Sequence, residues 1–177
     1  MHEYLTAAAT NNFLNAAFDG EVDKLKETAA ELDRLLGGGI PAVIQNTKDE
    51  VGKRAIHYAA SQGKVNVLKY LIEEVKLDDV DVKDDFGWKP LSVAVIQGHS
   101  AAVKYLLEMG ANPELPDDGN YTPLHYAAVK GQNNIIPLLL SKGINVDDTN
   151  HFGSSLHYAA LFGKHDTVKV LLDHGAN

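Results

Sequence analysis

The tetrapeptide His-Tyr-Ala-Ala occurs three times in the chain, beginning at His57, His125 and His157. An apolar residue precedes each copy, and a glycine follows each copy after two further residues. With a fourth, altered copy that begins at Leu91, the leading apolar residues lie 35, 33 and 32 positions apart. Self-similarity with a period of about 33 residues is typical of solenoids built from stacked units. The chain is therefore predicted to form one elongated stack and not a single globular core.

The fourth unit shows most clearly what each repeat folds into. Thr122 is suited to cap a helix, and Pro123 is suited to its first position, where a missing N–H costs nothing. Gly131 can end this helix in the left-handed conformation, and Gly143 can end a second, leucine-rich helix. Two short helices leave most of their leucines exposed unless a neighbouring unit covers them. Stacking is therefore expected to supply the core.

Two patterns in phase carry a resemblance to a known family. The segment 122–127 matches the pattern Thr-Pro-Leu-His-x-Ala in full. The segments 106–112 and 171–177 match the pattern Leu-Leu-x-x-Gly-Ala-Asn/Asp. On these residues the chain resembles ankyrin-repeat proteins over about residues 10–177. The resemblance implies an all-α fold, an ankyrin-repeat solenoid of stacked helix-turn-helix units with β-turn or hairpin tips.

One ankyrin-repeat domain is predicted over residues 1–177, with five units at about 10–47, 48–83, 84–116, 117–149 and 150–177. The first unit is degenerate, and Gly37–Pro41 is expected to stop its second helix. The second unit carries about two extra residues near Glu73–Lys76, and the fifth is one residue short near Gly153. The last unit is incomplete and shows no polar cap, which suggests a fragment of a longer protein.

A narrower resemblance concerns the first two units. The long first unit, followed by Ile56–Ala60 and Lys76–Asp78, is similar to the N-terminal ankyrin arm of plant proteins that also carry C-terminal tetratricopeptide repeats. This resemblance implies a co-chaperone-like adaptor. The alternative to a stand-alone protein-binding module is therefore an ankyrin targeting arm of a larger enzyme or co-chaperone, with the remaining domains beyond residue 177.

Composition narrows the classes of partner and compartment. The formal net charge is −8 and no Lys/Arg cluster is present, so nucleic-acid binding is not expected. The sequence shows neither a signal peptide nor an apolar stretch long enough to enter a membrane. The absence of cysteine fits a reducing compartment. We expect a monomer in the cytoplasm, with the nucleus as the second location.

The repeated histidines invite a metal-binding interpretation, which the repeat spacing disfavours. Adjacent first helices lie about 10 Å apart, too far for two imidazoles to share a zinc ion. The resemblance implies instead a structural role for His57, His125 and His157, which hydrogen-bond the turn backbone beside helix starts such as Thr122 and Pro123. The paired acids fall at turn tips, where solvated turn residues are the simpler interpretation. No metal, cofactor or catalytic residue is predicted.

The family resemblance implies a non-catalytic protein–protein interaction module that binds a partner through its concave face and turn tips. Contact positions lie at the turn tips and on the exposed face of each first helix, which here are Asp85, Phe86, Trp88, Ile96, Asp118, Tyr121, Val129, Lys130, His151, Phe152, Leu161 and Phe162. For Phe162, packing against a neighbouring unit remains the alternative. Trp88, Tyr121 and Phe152 are expected to form a row along one edge and to anchor the interface. Acid-rich tips favour a partner protein that presents Lys or Arg beside an apolar side chain.

Overall fold

The computed structural model describes residues 2–177, and almost all of the regular structure within them is helical. In chain order the helices are α1 (His2–Asp19), α2 (Val22–Leu36), α3 (Ile40–Asn46), α4 (Ala55–Ser61), α5 (Val65–Lys69), α6 (Pro90–Gln97), α7 (Ser100–Glu108), α8 (Pro123–Lys130), α9 (Ile136–Leu140), α10 (Ser155–Leu161) and α11 (His165–Asp173). A π-helical turn, Tyr70–Glu74, continues α5. A short antiparallel hairpin of β1 (Thr149–Asn150) and β2 (Gly153–Ser154) precedes α10. The fold is the all-α solenoid that the repeat pattern predicted.

Helix α8 shows how the local sequence sets the helix ends. Thr122 occupies the N-cap in an extended conformation, and its hydroxyl oxygen lies 2.8 Å from Nδ1 of His125. Pro123 follows in the first turn, where its fixed φ suits the helix. Gly131 then ends the helix at φ 74°, a left-handed conformation that costs glycine little. The same order of cap, helix and glycine defines the repeat.

The helices form two layers. Helices α1, α4, α6, α8 and α10 each pack against the next, and behind them α5 packs on α7 and α7 on α9. Alanines allow the close approach in the first layer, and eight of them are fully buried: Ala16, Ala17, Ala59, Ala60, Ala94, Ala127, Ala128 and Ala159. Leucines of the second layer fill the space behind, and the fully buried ones include Leu68, Leu106, Leu139 and Leu171. Within residues 2–177, no helix combines the length and apolarity needed to cross a membrane.

The first unit is longer than the sequence indicated. Helix α1 begins at His2, earlier than the expected start of the unit near residue 10. Helix α2 ends at Leu36 before the glycines, but the chain then forms α3, with Pro41 in its first turn. Proline is favoured in a first turn, so Pro41 starts a helix here as well as following the end of the previous one. Val43 and Ile44 bury the apolar side of this additional helix.

The second unit accommodates its extra residues in two separate places. The segment 71–76 has six residues where 106–110 has five, and the π-helical turn Tyr70–Glu74 takes up the difference. The loop 78–84 has seven residues where 112–117 has six. A single insertion is commonly absorbed as a π-helical turn, which widens the helix without ending it.

Candidate protein-binding face

Two buried carboxylates hold the turn tips of the third and fourth units. Oδ1 of Asp84 accepts hydrogen bonds from the N–H groups of Phe86 and Trp88, both at 2.9 Å. Oδ1 of Asp117 accepts a corresponding bond from the N–H of Tyr121 at 2.8 Å. An Asp that bonds the backbone two to four residues further along fixes the path of the turn. The side chains at these tips are therefore presented on a pinned backbone.

Neighbouring tips are bonded to one another. The N–H of Asp85 donates to the carbonyl of Val51 at 3.0 Å, and the N–H of Asp118 donates to the carbonyl of Phe86 at 3.4 Å. At Gly87, which has φ 80°, a Cβ atom would lie 2.5 Å from the Asp118 nitrogen, so only glycine fits between these tips. The tips of the second, third and fourth units consequently lie side by side and form one edge of the solenoid.

Two phenylalanines project from the tips into solvent. Phe86 is 59% exposed and Phe152 is 75% exposed. The N–H of Phe152 donates to Oδ1 of Asn150 at 2.9 Å, as that of Phe86 does to Asp84. Phe152 is thus the counterpart of Phe86, and the expectation that it lies in a row with Trp88 is wrong. The physical reason is the one-residue deletion in the fifth unit, which falls after Phe152 and leaves the first half of the turn in register.

Trp88 and Tyr121 are half-buried and already have partners. The indole Nε1 of Trp88 donates to Oδ2 of Asp117 at 3.0 Å, and the ring meets Tyr126 edge-on with centroids 6.3 Å apart. Tyr121 lies between Tyr126 and Tyr158, with both centroid separations at 5.6 Å. We call Trp88, Tyr126, Tyr121 and Tyr158 the aromatic ladder. It joins the third, fourth and fifth units and forms the wall behind the exposed tips.

Hydrogen bonds hold the phenols of the aromatic ladder in place. Burial and a short hydrogen bond to the Asp117 carboxylate raise the pKa of Tyr126. A hydrogen bond with Tyr158, together with burial, raises the pKa of Tyr121. The phenol of Tyr126 donates to Asp117, and that of Tyr158 donates to Oδ1 of Asn150 at 3.1 Å. Sequence reasoning missed Tyr126 and Tyr158, although a tyrosine follows the histidine in each tetrapeptide copy and lies eight or nine residues after an Asp or Asn, as in Asp117–Tyr126.

The other predicted contact positions differ in exposure. Ile96 and Val129 are half-buried on the first helices of their units. The exposed positions are Asp85, Asp118, Lys130, His151, Leu161 and Phe162. Leu161 is 77% exposed and Phe162 is 53% exposed, so the described residues leave most of both side chains uncovered. Asp118 lies 3.6 Å from Nζ of Lys83 in an exposed ion pair, which contributes little and is easily replaced by a partner's cation.

Two of the repeated histidines connect neighbouring units. Nδ1 of His57 accepts a bond from its own helix start, and Nε2 lies 3.1 Å from the carbonyl oxygen of Trp88 in the next unit. Nε2 of His125 lies 3.3 Å from the carbonyl oxygen of Gly153 in the same way. Since Nδ1 accepts, Nε2 carries the proton and donates. Burial lowers the pKa of both His57 and His125, which favours this neutral form.

His157 bonds only to the start of its own helix. Its Nδ1 accepts from the N–H of Ser154 at 3.3 Å and lies 2.9 Å from the serine hydroxyl oxygen. The ring is exposed, whereas His57 and His125 are each 1% exposed. Among residues 2–177, no three His, Asp or Glu side chains come close enough to hold a metal ion together.

The geometry defines a class of protein, a rigid helical repeat whose tip edge is built by backbone bonds between units. A family model described as ankyrin repeats, with three copies, matches residues 13–117 and again residues 113–177. The chain belongs to the ankyrin-repeat family. Ankyrin repeats are generally protein–protein interaction modules and are typically non-catalytic. No curated protein sequence matches the chain significantly.

Proposed function

We propose that the chain binds a partner protein through the tip edge, the tip of the fifth unit and the exposed ends of the adjoining first helices, and that it catalyses no reaction. The observation that carries this proposal is the pair Phe86 and Phe152. Both rings are more than half exposed, yet both stand on turns that Asp or Asn side chains pin. An exposed aromatic on a rigid backbone loses little entropy on binding, which is the property of an interface anchor.

The charge around these rings supports a basic partner surface. Asp85 and Asp118 are exposed beside the tips, and Glu50 extends the acidic edge into the second unit. With a formal net charge of −8, the whole chain attracts cations and repels phosphate backbones. A partner that places Lys or Arg beside an apolar side chain would match both features. Its cation would replace Lys83 as the ion-pair partner of Asp118.

The buried acids of the tips hold the local structure, which accounts for their presence without catalysis. Asp117 is buried, and its two carboxylate oxygens together accept bonds from the turn backbone, Trp88 and Tyr126. General acid–base catalysis needs carboxylates that converge in a pocket with room for a substrate. We also propose a cytoplasmic location and a monomeric state, the first supported by the absence of cysteine.

The test compares the exposed rings with a matched position in the second unit. Val51 is the counterpart of Phe86, since its N–H donates to Oδ1 of Asp49 at 3.0 Å. We expect Phe86→Ala and Phe152→Ala each to weaken binding of a partner captured on the immobilised chain by roughly thirtyfold, as anchors of about 2 kcal/mol do. Val51→Ala should change the affinity less than about threefold.

Interferometry with the purified partner would give these affinities, and circular dichroism would check the fold of each variant. If both phenylalanine variants retain the wild-type affinity for every captured protein, the tip edge is not the binding surface. We also expect the half-buried Trp88 to anchor the partner. The variant Trp88→Phe tests this expectation separately, because it removes the indole N–H that donates to Asp117.

A further inference from the structure

The irregular features of the second unit and the additional helix of the first unit converge on one cavity of about 170 Å³. Helix α3, which regular units lack, contributes Ile44 from its end. The π-helical turn contributes Leu71, and the lengthened loop contributes Leu77 and Asp78. A cavity of about 150 Å³ holds a benzene-sized ligand, so this one can enclose a branched aliphatic group. Departures from a regular repeat that meet at one place indicate a functional site.

The floor of this cavity is apolar and fixed. Ile44, Ile56 and Leu71 line it, and none of them is more than 2% exposed. Leu77 is half-buried at its side. These side chains belong to three different elements, so the floor keeps its shape through packing and does not depend on a single loop.

A single cation lies at the edge of the floor. Nε of Arg54 is buried and has no hydrogen-bond partner. Within residues 2–177, Arg54 also takes part in no ion pair. A buried donor on a charged group that is left unpaired is costly, and a guanidinium is shaped to pair with a carboxylate through two parallel bonds. In the fourth and fifth units the same position holds Thr122 and Ser154, which cap their helices.

The equivalent groove of the fourth unit is an internal comparison. It encloses about 140 Å³ and is lined by Thr122, Leu124 and Ile144. Its polar lining includes the carboxylates of Glu114 and Asp148. Like the cavity of the second unit, this groove has an apolar part. Where the cavity has the guanidinium, however, the groove has a hydroxyl group beside two carboxylates. The third unit also has a cation at this position, Lys89, but its Nζ donates to the carbonyl oxygens of Gly87 and Pro116. A cation with an unpaired buried donor is therefore found here only in the second unit among the units compared.

We propose that the cavity of the second unit binds an aliphatic carboxylate, with the branched tail on the apolar floor and the carboxylate on the guanidinium of Arg54. The rim residues Asp78 and Asp79 are exposed, so water screens their repulsion of the ligand. They favour a ligand that carries a neutral or cationic group beside the carboxylate. Such a ligand is either a free small acid or amino acid, or the C-terminal residue of another protein. The cavity includes none of the residues of the tip edge, so this site stands apart from the proposed partner-binding function.

The first experiment titrates the ¹⁵N-labelled chain with 4-methylpentanoate and follows backbone amide shifts. A ligand of about eight non-hydrogen atoms should bind with a dissociation constant on the order of 1 mM. We expect saturable shifts confined to residues 44–46, 54–56 and 77–82. Arg54→Thr installs the residue of the fourth unit and should weaken binding at least about tenfold, because a charge-assisted bond is lost. Lys53→Thr removes a neighbouring cation outside the cavity and should leave the affinity unchanged.

A second set of ligands separates the two sources. An acetylated peptide that ends in a free leucine and leucine itself should both compete with 4-methylpentanoate, and the tighter of the two identifies the source. The same peptide with a C-terminal amide should not bind, since it offers Arg54 no carboxylate. Absence of saturable shifts at about 20 mM ligand, equal binding of acid and amide peptides, or wild-type affinity in a folded Arg54→Thr chain would each overturn the proposal.

Discussion

The second and fourth units share the same tetrapeptide and the same histidine bond to the next unit. They differ at the start of the first helix and at the end of the second. The fourth unit caps its first helix with Thr122, and the left-handed Gly143 lies in the turn that follows its second helix. The second unit places Arg54 and Lys76 at these positions and widens its second helix into a π-helical turn. The shared residues are those that hold units together, whereas Arg54 and the residues that follow Lys76 line the cavity. Stacking and site formation therefore depend on different positions of the same repeat.

The largest expected effect on stability concerns the buried aspartate of the fourth turn tip. Asp117 accepts bonds from the turn backbone, from the indole of Trp88 and from the phenol of Tyr126. Its counterpart Asp49 accepts from the turn backbone and from Tyr58, with no indole. We expect Asp117→Ala to lower the free energy of unfolding by about 3–4 kcal/mol, since it leaves buried donors unpaired.

Asp49→Ala should cost about 1–2 kcal/mol less than Asp117→Ala, because fewer donors lose their acceptor and Asp49 is only half-buried. Urea denaturation followed by circular dichroism gives both values. Equal losses in the two variants would mean that the Trp88 bond adds nothing to the stability of the fourth unit.

The third unit offers a way to add the interaction that the fourth unit has. Val93 occupies the position of Tyr126, and Oδ2 of Asp84 is buried without a hydrogen-bond partner. We expect Val93→Tyr to be more stable than Val93→Phe by about 1–2 kcal/mol, because only the phenol can donate to Asp84. The phenylalanine variant controls for the volume of the added ring. If the two variants unfold at the same urea concentration, the tyrosine–acid bond is not what stabilises a tip.

Much of this architecture was predictable from sequence because it rests on local rules. Thr122, Pro123 and Gly131 act in the structure as their preferences indicate, and the alanine pairs lie at the helix contacts. Phe86 and Phe152 both lie on turn tips as expected, but Phe152 takes the position of Phe86 and not that of Trp88. A deletion of one residue can be absorbed on either side of Phe152 at similar local cost, so only the hydrogen bond to Asn150 identifies the register.

The features of the cavity were not predictable for a related reason. The two extra residues of the second unit are visible in the sequence, but their division between a π-helical turn and a loop depends on packing against the neighbours. Gly37–Gly39 indicates the end of α2 and gives no sign that α3 follows so soon. Arg54 can be read as an ordinary surface cation until the structure shows that its Nε is buried.

A smaller effect on stability is expected at the left-handed position that follows each second helix. This position holds a glycine in the fourth unit and Lys76 in the second. Lys76 has φ 59° where Gly143 has φ 78°, and a left-handed conformation strains any residue with a Cβ atom. Lys76→Gly should raise the free energy of unfolding by about 1 kcal/mol. Gly143→Ala should lower it by about the same amount, because no atom lies within 4 Å of the added Cβ and the cost is conformational. Thermal melts of both variants test the pair, and a destabilised Lys76→Gly chain would show that the Lys76 side chain supports the π-helical turn.

The smallest effect is a dependence of stability on pH that the two linking histidines produce. Burial lowers the pKa of His57 and of His125, although Asp84 near the first ring and Asp148 near the second act in the opposite direction. Arg54 lowers the pKa of His57 further.

Because the folded values lie below the unfolded value of about 6.5, the unfolded chain binds more protons between them. The contribution of the neutral rings is therefore complete above about pH 6.5 and is lost as the pH falls from there toward the folded values. The urea midpoint should decrease between about pH 7.5 and pH 5.5 in the wild-type chain. His57→Gln and His125→Gln should each flatten this decrease, and His57→Gln should do so more, since it removes the ring beside Arg54. If the double variant keeps the wild-type slope, the histidine bonds between units are not the source of the pH dependence, and the second and fourth units are alike in this respect.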